Sequence, residues 1–499
     1  MSANWRGPAG CVLIAALSAC AVGPDYQRPE APAASSYGAA SSSQPTVSTE
    51  GVGGNAQRFV DGMDIPGQWW TLFQSPKLSR LVEDALKGNP NVAAAEAALR
   101  QARELALAQS AGYFPVVQAS FSAQRAKDAS GTIAPVTVSA SPTYSLYTPQ
   151  LTVGYSPDVF GATRRSVEAA RAQSEASRFQ LEATYVTLTS NVVVTAVQEA
   201  SLRGQIAATG RLLQLQHDLT ENIRSRRKLG TASELDLLTQ RSAEAQTAAT
   251  LPPLQKQLGQ TRDALTALLG RLPADEPQET FELQELALPA QLPVSLPSRL
   301  VAQRPDVRQA EENLHAASAQ VGVALANLLP QFSISADTGS AAFELSRLFS
   351  PYTGFWSVGA SLSQTLFDGG VLLHRRRAAD AALDAAAAQY RAAVILACQN
   401  VADTLRALQA DADALQASSE SDLAARATLD LARRQYSLGA ISFVAVMNAE
   451  EIYQQAEVAL VQARANRYTD TAGLFQSLGG GWWNRPGEAL DEQSGSTVR

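Results

Sequence analysis

The stretch FWSVGASLSQTLF (residues 355–367), the turn Asp368-Gly369-Gly370 and the helical pattern that follows to Leu478 decide how this chain folds. Trp356, Val358, Ala360 and Leu362 alternate with Ser357, Gly359, Ser361 and Ser363, a period of two that specifies a strand. From Val371 the apolar spacing becomes helical and runs to Ser437. It breaks once, at Leu438-Gly439, and resumes over 442–478. Leu151 to Leu269 repeats the plan: strand, Phe160-Gly161, helix over 163–228, Leu229-Gly230, second helix over 233–269. Pro90, Glu96, Leu99 and Pro115 match Pro305, Glu311, Leu314 and Pro330 at an offset of 215, and Leu229, Ser233 and Leu269 match Leu438, Ser442 and Leu478 at 209. A constant offset through helices, with the length change confined to one loop, is the mark of an internal duplication.

Each half carries two strands. In the first, Val117, Ala119, Phe121 and Ala123 alternate with Gln118, Ser120, Ser122 and Gln124, and Leu151, Val153 and Tyr155 alternate with Thr152, Gly154 and Ser156. In the second, Phe332, Ile334 and Ala336 precede the strand already quoted. Strands of this length suit either a half-buried soluble sheet or a tilted membrane strand of about 9–11 residues. Four strands cannot close, because about eight is the smallest packed barrel. An open edge in lipid leaves backbone groups unpaired at several kcal/mol each. Strands that span a membrane must therefore be pooled by several subunits, and three would give twelve.

The long helices are each about 100 Å at 1.5 Å per residue. Leu181, Leu188, Thr195 and Leu202, and Val394, Val401, Leu408 and Leu415, recur every seven residues, which is coiled-coil spacing. The expected organisation is a signal peptide (1–19), a lipid-anchored extended leader (20–60), a first repeat (61–270), a Pro-rich connector (271–304), a second repeat (305–481) and a C-terminal tail (482–499). The first repeat has strands near 116–125 and 151–160 and helices 91–114, 163–228 and 233–269. The second has strands near 331–338 and 355–367 and helices 305–329, 371–437 and 442–478. Pro252-Pro253 predicts a bulge or short break in the first return helix, since proline removes a hydrogen bond and crowds the preceding turn.

Residues 1–19 pair Arg6 with the apolar run 12–17 and end in Leu17-Ser18-Ala19-Cys20, too short for a membrane span. That ending resembles a bacterial lipobox, with Cys20 the lipidated first residue of the mature chain and Val22 suiting sorting to the outer membrane. Cys11 lies in the leader, and Cys398 reads as a buried thiol in an Ala-rich helix. No disulfide framework follows. The net charge of −7 and the absence of a basic, aromatic-interleaved patch argue against nucleic acid. His217, His315 and His374 stand apart, without metal-ligand spacing, and no nucleotide-binding or hydrolase motif occurs. The sequence therefore predicts no enzyme, no cofactor and no metal site.

Cys20 with VGPDYQRP, Trp69-Trp70 through Asn89-Pro90, Phe160-Gly161 with Arg164-Arg165, Lys228-Leu229-Gly230, Arg304-Pro305-Asp306-Val307, Phe367-Asp368-Gly369-Gly370 and the LGGGW run ending at Trp482 stand in a fixed order. Together they resemble the TolC-like outer-membrane efflux family, in its lipoprotein branch of the nodulation-protein-T type. The resemblance implies a membrane β-barrel plus a long α-helical coiled-coil barrel, four strands per protomer and a 12-stranded barrel in a homotrimer. It also implies a Gram-negative outer-membrane location, lipid-anchored and extending into the periplasm, with a periplasmic adaptor and an inner-membrane pump as partners. Substrates, drugs or other small toxic compounds, pass through passively.

The near-equivalent turns supply the residues expected to meet the adaptor: Arg227, Lys228, Leu229, Gly230, Thr231 and Ser233 on one, Ser437, Leu438, Gly439 and Ser442 on the other. Glycine would end each long helix and serine would cap the next, so turn-making alone is the competing reading. Where the family commonly carries a leucine and an aspartate that constrict the closed tunnel, this chain has Val444 and Asn448, with Asp236 a possible nearby acid. Other readings are a channel for metal-ion or type I protein export, or a non-pore periplasmic coiled-coil adaptor lipoprotein.

Overall fold

A computed structural model of the chain describes residues 21–34, 36–37, 44–127 and 143–485. The expected signal peptide, Cys20 and residues 486–499 of the tail lie outside the described residues. In chain order the elements are β1 (Arg58–Asp61), α1 (Pro76–Gly88), α2 (Pro90–Ser110), β2 (Val116–Lys127), β3 (Thr143–Tyr155), α3 (Ala162–Lys228), α4 (Glu234–Leu268), β4 (Gln291–Val294), α5 (Pro297–Gln303), α6 (Pro305–Ala326), β5 (Gln331–Ser340), β6 (Gly354–Ser363), α7 (Val371–Ser437) and α8 (Phe443–Ser477). The duplication is visible in the lengths: α3 and α7 have 67 residues each, and α4 and α8 have 35 each. The chain falls into two units, one of Met1–Arg28, Leu99–Ala176 and Ala310–Tyr390, the other of Pro29–Ala98, Ser177–Gln309 and Arg391–Arg499.

The first unit contains one four-stranded antiparallel sheet in the order β2-β3-β5-β6. The registers Val153↔Ala336 and Ala336↔Val358 put Val117, Val153, Ile334, Val358 and Trp356 on one face and the hydroxyl and amide residues on the other. The strand expected near 151–160 instead runs Thr143–Tyr155. Its extent is set by the partner ladder, which reaches out to Lys127↔Thr143 along β2. Beside the sheet the VGPDYQRP leader is strapped onto helices. Val22 N–H donates to Phe160 O, Arg165 pairs with Asp25 at 2.6 Å, and Tyr26 stacks on His315 at 4.2 Å. His315 is thus a packed histidine, held between Glu168 and Glu312, whose carboxylates raise its pKa.

In the second unit the heptad prediction meets the core directly. Leu181, Leu188, Leu202, Val401, Leu408 and Leu415 are all buried. Ser75 caps α1 by accepting from Leu78 N–H, with Pro76 at the first helical position. Ahead of that cap Trp69 stacks on Phe475 at 5.2 Å and meets Phe73 edge-on.

Residues 44–61 depart from the expected extended leader. β1 pairs in parallel with β4 of the connector, and the segment before β1 is fastened by Arg467, which is fully buried. Arg467 donates through Nη1 to Gly53 O at 2.7 Å, and through Nη2 to Gln57 Oε1 at 2.9 Å and Thr46 Oγ1 at 3.1 Å. Gln57 in turn donates to Pro289 O and Thr471 Oγ1, so leader, connector and α8 share one buried hydrogen-bond network. The far end of the fold returns to the same place. Trp483 Nε1 and Asn484 Nδ2 donate to Asp64, and Gly481, at φ +66°, lies so near Ile65 O that a Cβ there would stand 2.6 Å from it.

The break predicted at Pro252-Pro253 is absent: α4 is continuous through both prolines. They lie on an exposed stretch of the helix with Ala249 and Thr250. The carbonyls deprived of donors are therefore reachable by solvent, and the remaining turns keep the helix intact.

Candidate functional site

The two hairpin turns close in the same way. After α3, Gly230 N–H donates to Arg227 O and Thr231 N–H to Arg226 O. After α7, Gly439 N–H donates to Tyr436 O and Ala440 N–H to Gln435 O. Both glycines have φ +76°, the left-handed stop of a Schellman motif that satisfies the last carbonyls of a long helix. Arg226, Arg227 and Lys228 sit in the last turn of α3, where cations complement the helix dipole. Arg227 also reaches across the turn to Glu234 at 2.7 Å.

The turns are neighbours. Ile223, Leu237 and Phe443 form one buried cluster joined by Leu219, Tyr436 and Met447, and the Arg226 guanidinium lies 5.2 Å over the Tyr436 ring. Among the residues this shared base leaves outside are three leucines: Leu229 is 79% exposed, Leu438 83% and Leu235 73%. Exposed leucines at two adjacent turns add nothing to the fold and suit contact with another protein.

The caps differ. Ser233 accepts from Asp236 N–H at 3.0 Å while Asp236 accepts from Ser233 N–H at 3.1 Å, a reciprocal capping box. Asp236, expected as an acid beside Asn448, is committed to this cap. Ser442 stands at the equivalent position but its side chain makes no capping bond: the Ala445 N–H donates to the Ser442 backbone carbonyl at 3.1 Å, and alanine has no side chain to complete a box. Ser233→Ala is expected to destabilise the start of α4 by about 1 kcal/mol, whereas Ser442→Ala leaves α8 unchanged. Amide hydrogen exchange over the two first turns distinguishes them.

Val444 and Asn448 lie one turn apart on α8, both exposed. They border a groove of about 1140 Å³ between α3, α4 and α8, with Met447, Gln216, Thr239 and Gln455 among its walls. Glu451 is its one acidic wall residue. Among the described residues no group of three or more His, Cys, Asp or Glu is arranged to hold a metal ion. His217 lies 3.0 Å from Glu244, whose carboxylate accepts from Thr220 and is lowered in pKa chiefly by that bond. With no nucleophile bonded to the imidazole, that trio has no catalytic geometry.

Comparison with known proteins agrees with this geometry. The family described as outer membrane efflux protein matches residues 81–271 and 296–480. Relatives include the antibiotic efflux pump outer membrane protein ArpC and the toluene efflux pump outer membrane protein TtgC, both of Pseudomonas putida. Each is 29% identical over 488 residues, covering 97% of either chain. Among solved structures the outer-membrane channel OprN superposes with a TM-score of 0.83 at 31% identity, over 93% of this chain and 100% of that one.

Proposed function

The chain belongs to the outer membrane efflux protein family, and on that premise we propose that three copies pool their sheets into one twelve-stranded barrel and that the paired turns dock a periplasmic adaptor serving an inner-membrane pump. The protein is the outer-membrane channel component of a Gram-negative efflux pump, reaching into the periplasm, and not an enzyme. Cys20 is the proposed lipidation site. The proposed cargo is drugs and other small toxic compounds, in line with the antibiotic and toluene pumps named above.

One observation carries the assembly: among the described residues the four-stranded sheet has two unpaired edges, β2 and β6, and an exposed apolar face. Trp356 is 77% exposed and Val358 70%. In lipid such edges are tolerated only when closed by further strands, while the hydroxyl-rich opposite face suits a water-filled lumen. Purified from outer membranes, the protein is expected to run as a heat-dissociable trimer and to conduct in planar bilayers. Deleting its gene should sensitise the host to drugs or solvents. A monomer that carries no current, from a strain of unchanged susceptibility, overturns the reading.

A further inference from the structure

Among the described residues, the hydroxyl-rich face of the sheet has one charged side chain. Residues such as Ser120, Thr152, Ser335 and Ser361 share that face, and among the described strand residues on it Asp337 alone bears a charge. Arg125 and Lys127 belong to the opposite face of β2, at its C-terminal end. In the β5–β6 connection Arg347 is paired with Glu344 at 3.2 Å.

Asp337 is held from both sides by neutral donors. Its Oδ1 accepts from Thr152 Oγ1 at 2.7 Å and from Gln150 Nε2 at 2.9 Å, and its Oδ2 accepts from Ser357 Oγ at 3.2 Å. Hydrogen bonds from neutral donors fix the position of a carboxylate without cancelling its charge. No cationic side chain among the described residues pairs with it. On α8, by contrast, the neutral Asn448 stands at the place where the family resembled commonly carries an aspartate.

We propose that Asp337 sets the charge selectivity of the channel, three copies forming a ring of fixed carboxylates that draws cations and cationic cargo through the barrel. This rests on the pooled-barrel reading above. Twelve tilted strands spaced about 4.8 Å apart enclose a lumen of radius about 12 Å, placing each carboxylate about 8 Å from the axis. The Debye length is about 10 Å at 0.1 M salt and 3 Å at 1 M, so the three charges overlap at the axis in dilute salt and are screened from it in concentrated salt. Summing three screened charges in water gives a cation-to-anion preference of about tenfold at 0.1 M, falling to nearly one at 1 M.

The test is the reversal potential of the full-length protein in planar bilayers under a KCl gradient. Wild type should prefer potassium about tenfold near 0.1 M and lose the preference at 1 M. Asp337→Asn should bring the low-salt ratio close to one while still conducting, and Asp337→Glu should keep it. A conducting wild type with a ratio of one at 0.1 M, or an Asp337→Asn channel with the wild-type ratio, overturns the inference alone. The first of these needs no variant to fold. A wild type that inserts and carries no current overturns the pore reading and this inference with it.

Discussion

Arg467→Ala should cost about 3–5 kcal/mol of stability, the order for emptying the site of a large buried side chain and stranding the acceptors it held. The guanidinium holds Gly53, Thr46 and Gln57 at once, and Thr46 and Gln57 are themselves buried. Truncation therefore leaves acceptors without donors as well as a void. The effect should also depend on pH. Burial, and then the hydrogen bond and charge of Asp470, push Asp411 up to about 7, and Arg467 works against that rise. A carboxyl raised in the folded state is destabilising above its unfolded pKa, increasingly so as pH climbs to the folded value. Without Arg467 the folded value rises further, so the loss at pH 8 should exceed that at pH 5, where Asp411 is protonated in either protein. Urea unfolding followed through tryptophan fluorescence measures both, and proteolysis within 44–57 reports release of the leader. A variant within about 1 kcal/mol of the parent, the net worth of a single ordinary hydrogen bond, would mean the network is dispensable.

The hairpin turns should show the opposite behaviour. Replacing Leu229 and Leu438 with Asp removes no packing, because both side chains already face solvent, and surface changes of this kind stay within about 0.5 kcal/mol. Against a partner the same carboxylates would be buried unpaired, at several kcal/mol each. The double variant should therefore insert and assemble like wild type, yet leave cells as drug-sensitive as a gene deletion. Normal efflux from it sinks the docking proposal, and a dissociated trimer reassigns the leucines to assembly.

How much of this was legible beforehand varies by element. The 67-residue helices and their Gly230 and Gly439 stops follow from local periodicity and one residue type that tolerates positive φ, so the sequence suffices. β3 was misplaced because the limits of a strand belong to its ladder, and Pro149 and Gln150 near its middle hide the alternation. β1 carries no pattern at all: Arg-Phe-Val-Asp becomes a strand only against Gln291–Val294, more than 200 residues away. The Asp236 cap was readable from Ser233 and an acid three positions on. Asp337 follows Ala336 in the sequence as one polar residue of an alternating strand. Its isolation becomes evident only when four strands are laid side by side in register.

The contact of Trp483 and Asn484 with Asp64 spans 419 and 420 residues of chain. A polypeptide threaded across a membrane from its leading end must hold Asp64 and Ile65 idle until nearly all the rest has arrived, because closing so large a loop comes last. A translation product that stops short of Trp482 would leave Gln303 and Asp64 without their indole donors. Such fragments would linger half-made, open to holdases and proteases. Completeness of synthesis is thereby checked by the architecture itself, before any copy is released to seek its companions.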